Sequence, residues 1–142
     1  MNVKEVMTPN PERIPSSETV MHAAKRMKTL NVGVLPVVEE GKEAGMITDR
    51  DIITRVLAEE LNPAHTSVGE VMTKQVISCT EETDIGEAAR IMETNKIRRL
   101  LVKNEAGRLT GVVSLGDIAV HATRNVSAEI LKEVSEPSAP SR

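Results

Sequence analysis

The sequence predicts an α/β (α+β) fold made of two tandem, pseudo-symmetric copies of one unit, each a small mixed sheet of about three strands with two packing helices. Three observations predict it. First, the chain repeats itself: Val3-Lys4-Glu5-Val6-Met7-Thr8 returns 65 residues on as Val68-Gly69-Glu70-Val71-Met72-Thr73. The same shift carries Val20 to Ile85, Ala23-Ala24 to Ala88-Ala89, Met27 to Met92 and Leu35 to Leu100. Second, Val20, Ala23, Ala24, Met27 and Leu30 recur at helical spacing, so they share one face. Third, each copy then holds two apolar, β-branched runs parted by a short polar stretch, the pattern of a hairpin. An extra residue in the second hairpin raises the shift to 66, which aligns Gly45 with Gly111 and Asp51 with Asp117.

Taken in order, each copy opens on a short amphipathic turn, Val3 to Met7 and Val68 to Met72. An extended segment follows around Arg13-Ile14 and around Val76 to Cys79. The first helix runs from about Val20 to Leu30, with Thr19 as N-cap, and its counterpart follows Asp84, which has Glu87 three residues on. Val34 to Val38 and Ala44 to Thr48 form the first hairpin, turned at Glu39 to Glu43. Arg99 to Val102 and Leu109 to Ser114 form the second, turned at Asn104 to Gly107, where Gly107 suits a left-handed position. A second helix closes each copy, Asp49 to about Leu61 and Gly116 to about Arg124. Asn62-Pro63 ends the earlier one, because the residue before proline is driven out of the helical region. The domain reading is therefore 1–62, a linker 63–67, 68–125, and 126–142 as a helix (Ser127 to Val134) and a disordered tail (Ser135 to Arg142).

The most informative stretch is Gly45-Met46-Ile47-Thr48-Asp49-Arg50-Asp51-Ile52, repeated as Gly111-Val112-Val113-Ser114-Leu115-Gly116-Asp117-Ile118. Glycine lets a ligand or backbone come close. The hydroxyl and the aspartate sit three residues apart where a strand turns into a helix. Free N–H groups and a positive dipole there suit a phosphate, and an aspartate one turn in can accept from a ribose. The same spacing is also a capping box, which needs no ligand.

Composition narrows the function. The 142 residues carry a net charge of −3 with 27% charged residues and no basic block, which argues against tracking a nucleic-acid backbone. There is no Phe, Tyr or Trp, so no platform exists for stacking bases. Cys79 is the single cysteine, which excludes an internal disulfide, and its apolar neighbours Val76-Ile77-Ser78 suit packing. No secretory h-region and no run of 18 apolar residues occurs, so a cytoplasmic location and no membrane are the default expectation. His22, His65 and His121 are scattered, without metal-ligand spacing, and no nucleophile setting or P-loop is present. The seven methionines read as adaptable packing in place of aromatics.

A strand, helix, strand, strand, helix unit in tandem, each copy ending Gly-h-h-Ser/Thr-x-x-Asp, resembles the CBS-domain pair, or Bateman module, over residues 3 to about 124. The likeness also rests on Val-Met-Thr opening each copy, on Asn31-Val32-Gly33-Val34-Leu35-Pro36-Val37-Val38 and on Lys96-Ile97-Arg98-Arg99-Leu100-Leu101-Val102. The chain looks most like the short stand-alone members in bacteria. The resemblance implies a regulatory module, not an enzyme, that binds an adenosyl ligand (AMP, ADP, ATP or S-adenosylmethionine) in two clefts and acts through an effector protein, with no required cofactor. It also implies a homodimer formed through helices.

Carried over residue by residue, the resemblance gives Asp51 and Asp117 the ribose hydroxyls, and Thr48 and Ser114 the phosphate end. Backbone at Val32, Gly33, Val34, Leu35 and Pro36, and at Ile97, Arg98, Arg99 and Leu100, would receive the adenine edge. Thr8 and Thr73 would close the clefts. On this reading Asp51→Ala and Asp117→Ala weaken binding with little loss of fold. Arg98 and Arg99 replace Gly33 and Val34, and Leu101 stands where the first copy has Pro36, so the clefts should differ in charge and in backbone kink. Arg50, like the arginine pair, either meets a phosphate or pairs with a carboxylate. The alternatives are a dimeric interaction module whose clefts bind no nucleotide and a nucleotide hydrolase, for which Asp49 and Arg50 are the nearby candidates.

Overall fold

The structure is a computed structural model, which describes residues 1–124. The expected helix at Ser127 to Val134 and the tail after it lie outside the described residues. Two units form: Asn10–Ser78 is one, and Met1–Pro9 joins the chain from Cys79 onward in the other.

In the Asn10–Ser78 unit, α1 (Val20–Leu30) spans the residues expected, capped by Thr19, whose hydroxyl accepts from the His22 N–H at 3.1 Å. Its apolar face buries Val20, Ala23 and Met27. Asn31 ends the helix in the left-handed conformation (φ 55°), and Val32 N–H reaches back to the Met27 carbonyl at 3.1 Å. That reversal feeds β3 (Val34–Glu39), which pairs antiparallel with β4 (Lys42–Thr48) and parallel with β2 (Ile14–Pro15). The hairpin turns more tightly than the sequence suggests. Glu39 faces Lys42 across a two-residue loop in which both Glu40 (φ 52°) and Gly41 (φ 77°) are left-handed, a twist that matches the strands.

After Thr48 the expected continuous helix is not regular. A short α2 (Asp49–Ile52) passes into a π-helical turn, Ile53–Leu57, so that Ala58 N–H bonds the Ile53 carbonyl and Leu61 N–H that of Val56. Residues 62–67 are strapped to the start of α1: Val20 N–H bonds the Thr66 carbonyl and Met21 N–H that of Pro63. A short α3 (Val68–Val71) then completes a core of Ile14, Val20, Ala23, Met27, Leu35, Val37, Ile47, Val56, Val68, Val71 and Met72.

The other unit repeats the plan with a four-stranded sheet in the order β1-β7-β6-β5. Its strands are β1 (Thr8–Pro9), β5 (Ser78–Thr80), β6 (Arg99–Lys103) and β7 (Leu109–Ser114). The fourth strand arises because the opening segment at Thr8 joins β7. Its helices are α4 (Ile85–Asn95) and α5, residues 115–124. Asp84 caps α4 through the Gly86 N–H at 2.9 Å, while Glu87 turns to Arg90 instead of closing a box. Gly107 (φ 78°) takes the left-handed turn position expected of it. Val3, Ala88, Met92, Leu100, Leu101, Val102 and Val113 are fully enclosed. Cys79 is buried too, and burial pushes its thiol up to about 11, as suits packing rather than reactivity.

The opening segments are exchanged. Val68 N–H bonds the Glu18 carbonyl and Gly69 N–H that of Ser16, both within the Asn10–Ser78 unit. In the other unit, Val3 N–H bonds the Thr83 carbonyl and Lys4 N–H that of Glu81. Each sequence repeat thus begins in the unit built mainly from its twin.

Candidate functional site

The strand-to-helix turns carry the candidate residues, and the local sequence explains their shape. In both copies the apolar pair before the hydroxyl (Met46-Ile47; Val112-Val113) is buried at the strand end. The hydroxyl residue then turns the chain into a helix. Thr48 N–H donates to Asp51 Oδ2 at 3.0 Å, and Asp51 N–H to Thr48 Oγ1 at 3.1 Å. Ser114 N–H donates to Asp117 Oδ2 at 2.9 Å, and Asp117 N–H to Ser114 Oγ at 3.0 Å. Both turns are therefore capping boxes, which satisfy two orphan donors each with the residues proposed to hold ligand.

The hairpins bring the neighbouring strand start to the same point. Val34 lies opposite Thr48, and Arg99 opposite Ser114. Asp49 N–H bonds the Gly33 carbonyl at 3.0 Å, and Leu115 N–H bonds the Arg98 carbonyl at 2.9 Å. Those two carbonyls are used internally. Leu35, Pro36 and Leu100 are buried, so of these residues only backbone could meet a ligand. Among the described residues the β2 ladder reaches only Val37 and Val38, which leaves one edge of β3 unladdered at Val34, Leu35 and Pro36. Val32 is half-buried against the core and Ile97 is half-buried after the equivalent helix end. Arg50 and Arg98 are exposed, and Arg99 is half-buried.

The opening-segment threonines each meet the strand that leads into a turn. Thr73 exchanges both backbone hydrogen bonds with Met46 (2.8 and 3.0 Å), and Thr8 pairs with Val112. This crossing explains the motif glycines. A Cβ on Gly45 would collide with the Thr73 carbonyl oxygen, and one on Gly111 would collide with Met7 Sδ and stand 3.0 Å from the Thr8 carbonyl oxygen. Of the two partners the sequence allows, ligand or backbone, the glycines make room for backbone.

The two turns then differ. The Thr73 hydroxyl lies 3.2 and 3.3 Å from the two oxygens of Asp51, which is only 7% exposed. Arg55, missed in the sequence reading, has its Nε 3.8 Å from Asp51 Oδ1 and donates through Nη1 to the Val71 and Met72 carbonyls, each at 3.1 Å. Its position four residues after Asp51 was the available signal, since such pairs meet on a helix. Asp117 is half-buried, and among the described residues its carboxylate accepts only the Ser114 N–H. Asp51 thus ties three segments together, so the expectation that Asp51→Ala spares the fold does not fit this geometry. Losing that carboxylate leaves Thr48 N–H and the Thr73 hydroxyl without their acceptor.

Among the described residues no group of three or more His, Cys, Asp or Glu side chains converges as a metal site would require, and no helix is long and apolar enough to cross a membrane.

The CBS domain family matches residues 3–58 and 68–123. The chain is 39% identical over 127 residues to the CBS domain-containing protein YhcV of Bacillus subtilis, covering 89% of each chain. It is similar in structure (TM-score 0.78, 29% identity, 88% of this chain and 98% of the other) to the CBS domain pair of protein MJ0100, solved with 5′-methylthioadenosine and S-adenosyl-L-methionine. It is also similar (TM-score 0.71, 26% identity, 88% and 98%) to CBSX2, solved in complex with AMP.

Proposed function

Because the chain belongs to the CBS domain family, of which it carries two copies, we propose that it is a regulatory module that binds an adenosyl ligand at its two strand-to-helix turns. The ligand would signal through a partner protein. One observation carries the reading: each unit gathers a hydroxyl, an aspartate, a strand-start backbone and an opening-segment threonine around one helix start. The hydroxyl and the aspartate are neighbours in sequence, the fold adds the strand start and the threonine, and together they are groups that suit a ribose phosphate. Relatives of the same fold with AMP or S-adenosylmethionine bound support the ligand class. Coupling to a partner would follow from differential affinity of the ligand for two packings of the chain.

A second reading is favoured by the capping boxes, which account for both motifs without a ligand. Under it the module works by assembly, and Ile53 and Leu57, 57% and 72% exposed one helical turn apart, offer an apolar face to a second copy. Calorimetric titration with AMP, ATP and S-adenosylmethionine separates the two. The proposal expects saturable binding of at least one ligand, weakened tenfold or more by Asp117→Ala, as for loss of a charged hydrogen-bond acceptor. Heat of dilution alone for all three ligands favours the assembly reading.

A further inference from the structure

We propose that the two ligand turns are not equivalent. The chain's own Thr73 and Arg55 hold the Asp51 turn closed, so that an adenosyl ligand fills the Asp117 turn first. The inference rests on the nucleotide reading above and deepens it.

A carboxylate offers about four lone-pair positions, and gripping a ribose diol takes one on each oxygen. At Asp51 those positions are already contested. Oδ2 accepts the Thr48 N–H and shares the Thr73 hydroxyl with Oδ1, while the Arg55 guanidinium stands over Oδ1. A diol must therefore displace Thr73. That residue is not loosely held: its backbone is doubly bonded to Met46, and the two carbonyls before it are fixed by Arg55. Arg55 is itself carried on the π-helical turn that interrupts the helix after Asp51. It acts as a positioning residue, holding the 71–73 segment and the aspartate in one network.

Asp117 has the same capping box, but the rest of the network does not recur around it. The residue aligned with Arg55 is His121 rather than an arginine, and Thr8 meets the strand at Val112 without a hydrogen bond to Asp117 among the described residues. Asp117 is also the more exposed of the two aspartates. Giving up one hydrogen bond to a charged acceptor weakens binding by roughly tenfold to a hundredfold, which sets the expected gap between the turns.

The test is the stoichiometry of AMP uptake by the full chain, followed by calorimetry over a wide concentration range. The wild type should take one equivalent per chain tightly and a second only at tenfold or greater concentration. Thr73→Val, which keeps the shape and removes the hydroxyl, should bring the second equivalent close to the first. Thr73→Ser, which restores the donor, should separate them again. Asp117→Ala should remove the tight equivalent. Two equal equivalents in the wild type, or a tight equivalent that survives Asp117→Ala, overturns the order of filling while leaving nucleotide binding standing. No uptake by any of the four proteins overturns both.

Discussion

Single residues at the two turns serve the fold, and this fixes what their substitution does. Gly45 and Gly111 occupy equivalent places, yet their neighbours differ. At Gly45 the obstructing atom is the Thr73 backbone carbonyl, held by two strand-like hydrogen bonds. At Gly111 the nearest atom is the end of the flexible Met7 side chain, with backbone further off. A methyl group can push a thioether aside more cheaply than it can push a paired carbonyl. Gly45→Ala should therefore destabilise by about 1–3 kcal/mol, and Gly111→Ala by less, in urea unfolding followed by far-ultraviolet circular dichroism. Equal losses would mean that the crossing segments are held alike at both turns.

Among the elements, the two equivalent helix ends invite a direct comparison. Asn31 and Lys96 both adopt φ 55° to close α1 and α4, and in both the next N–H reaches back to a methionine carbonyl, Met27 or Met92. Asparagine tolerates the left-handed region because its short side chain bonds locally, whereas lysine gains nothing there. Lys96→Asn, which copies the first repeat, should raise stability by about 0.5–1 kcal/mol in the same assay, and a loss would contradict the assigned closure. Both helices and both hairpins were legible in the sequence, since the apolar faces, the caps at Thr19 and Asp84 and the turn at Gly107 are local signals. Three things were not. The π-helical turn at Ile53–Leu57 keeps an apolar pattern that a regular helix would share. The exchange of opening segments was hidden because Val3 to Thr8 and Val68 to Thr73 are near copies, and either fits either unit. The grip of Thr73 and Arg55 on Asp51 depends on that exchange, so the aspartates looked interchangeable until the segments were placed.

For the whole molecule, duplication gives two turns with one capping geometry, and divergence within each copy sets them apart. On the proposed order of filling, such a chain would grade its response to ligand concentration, the second turn binding only where the ligand displaces Thr73. The same molecule lacks Phe, Tyr and Trp and has a single cysteine, so it contributes almost no absorbance near 260 nm. That silence makes the central claim directly measurable. The protein is run through a gel-filtration column equilibrated in turn with AMP, ADP, ATP and S-adenosylmethionine, and absorbance at 260 nm is recorded. Binding of an adenosyl ligand predicts, for at least one of the four, a 260 nm peak at the protein's elution volume and a matching trough at the ligand's. A flat baseline at the protein's position for all four, at millimolar ligand, would contradict it.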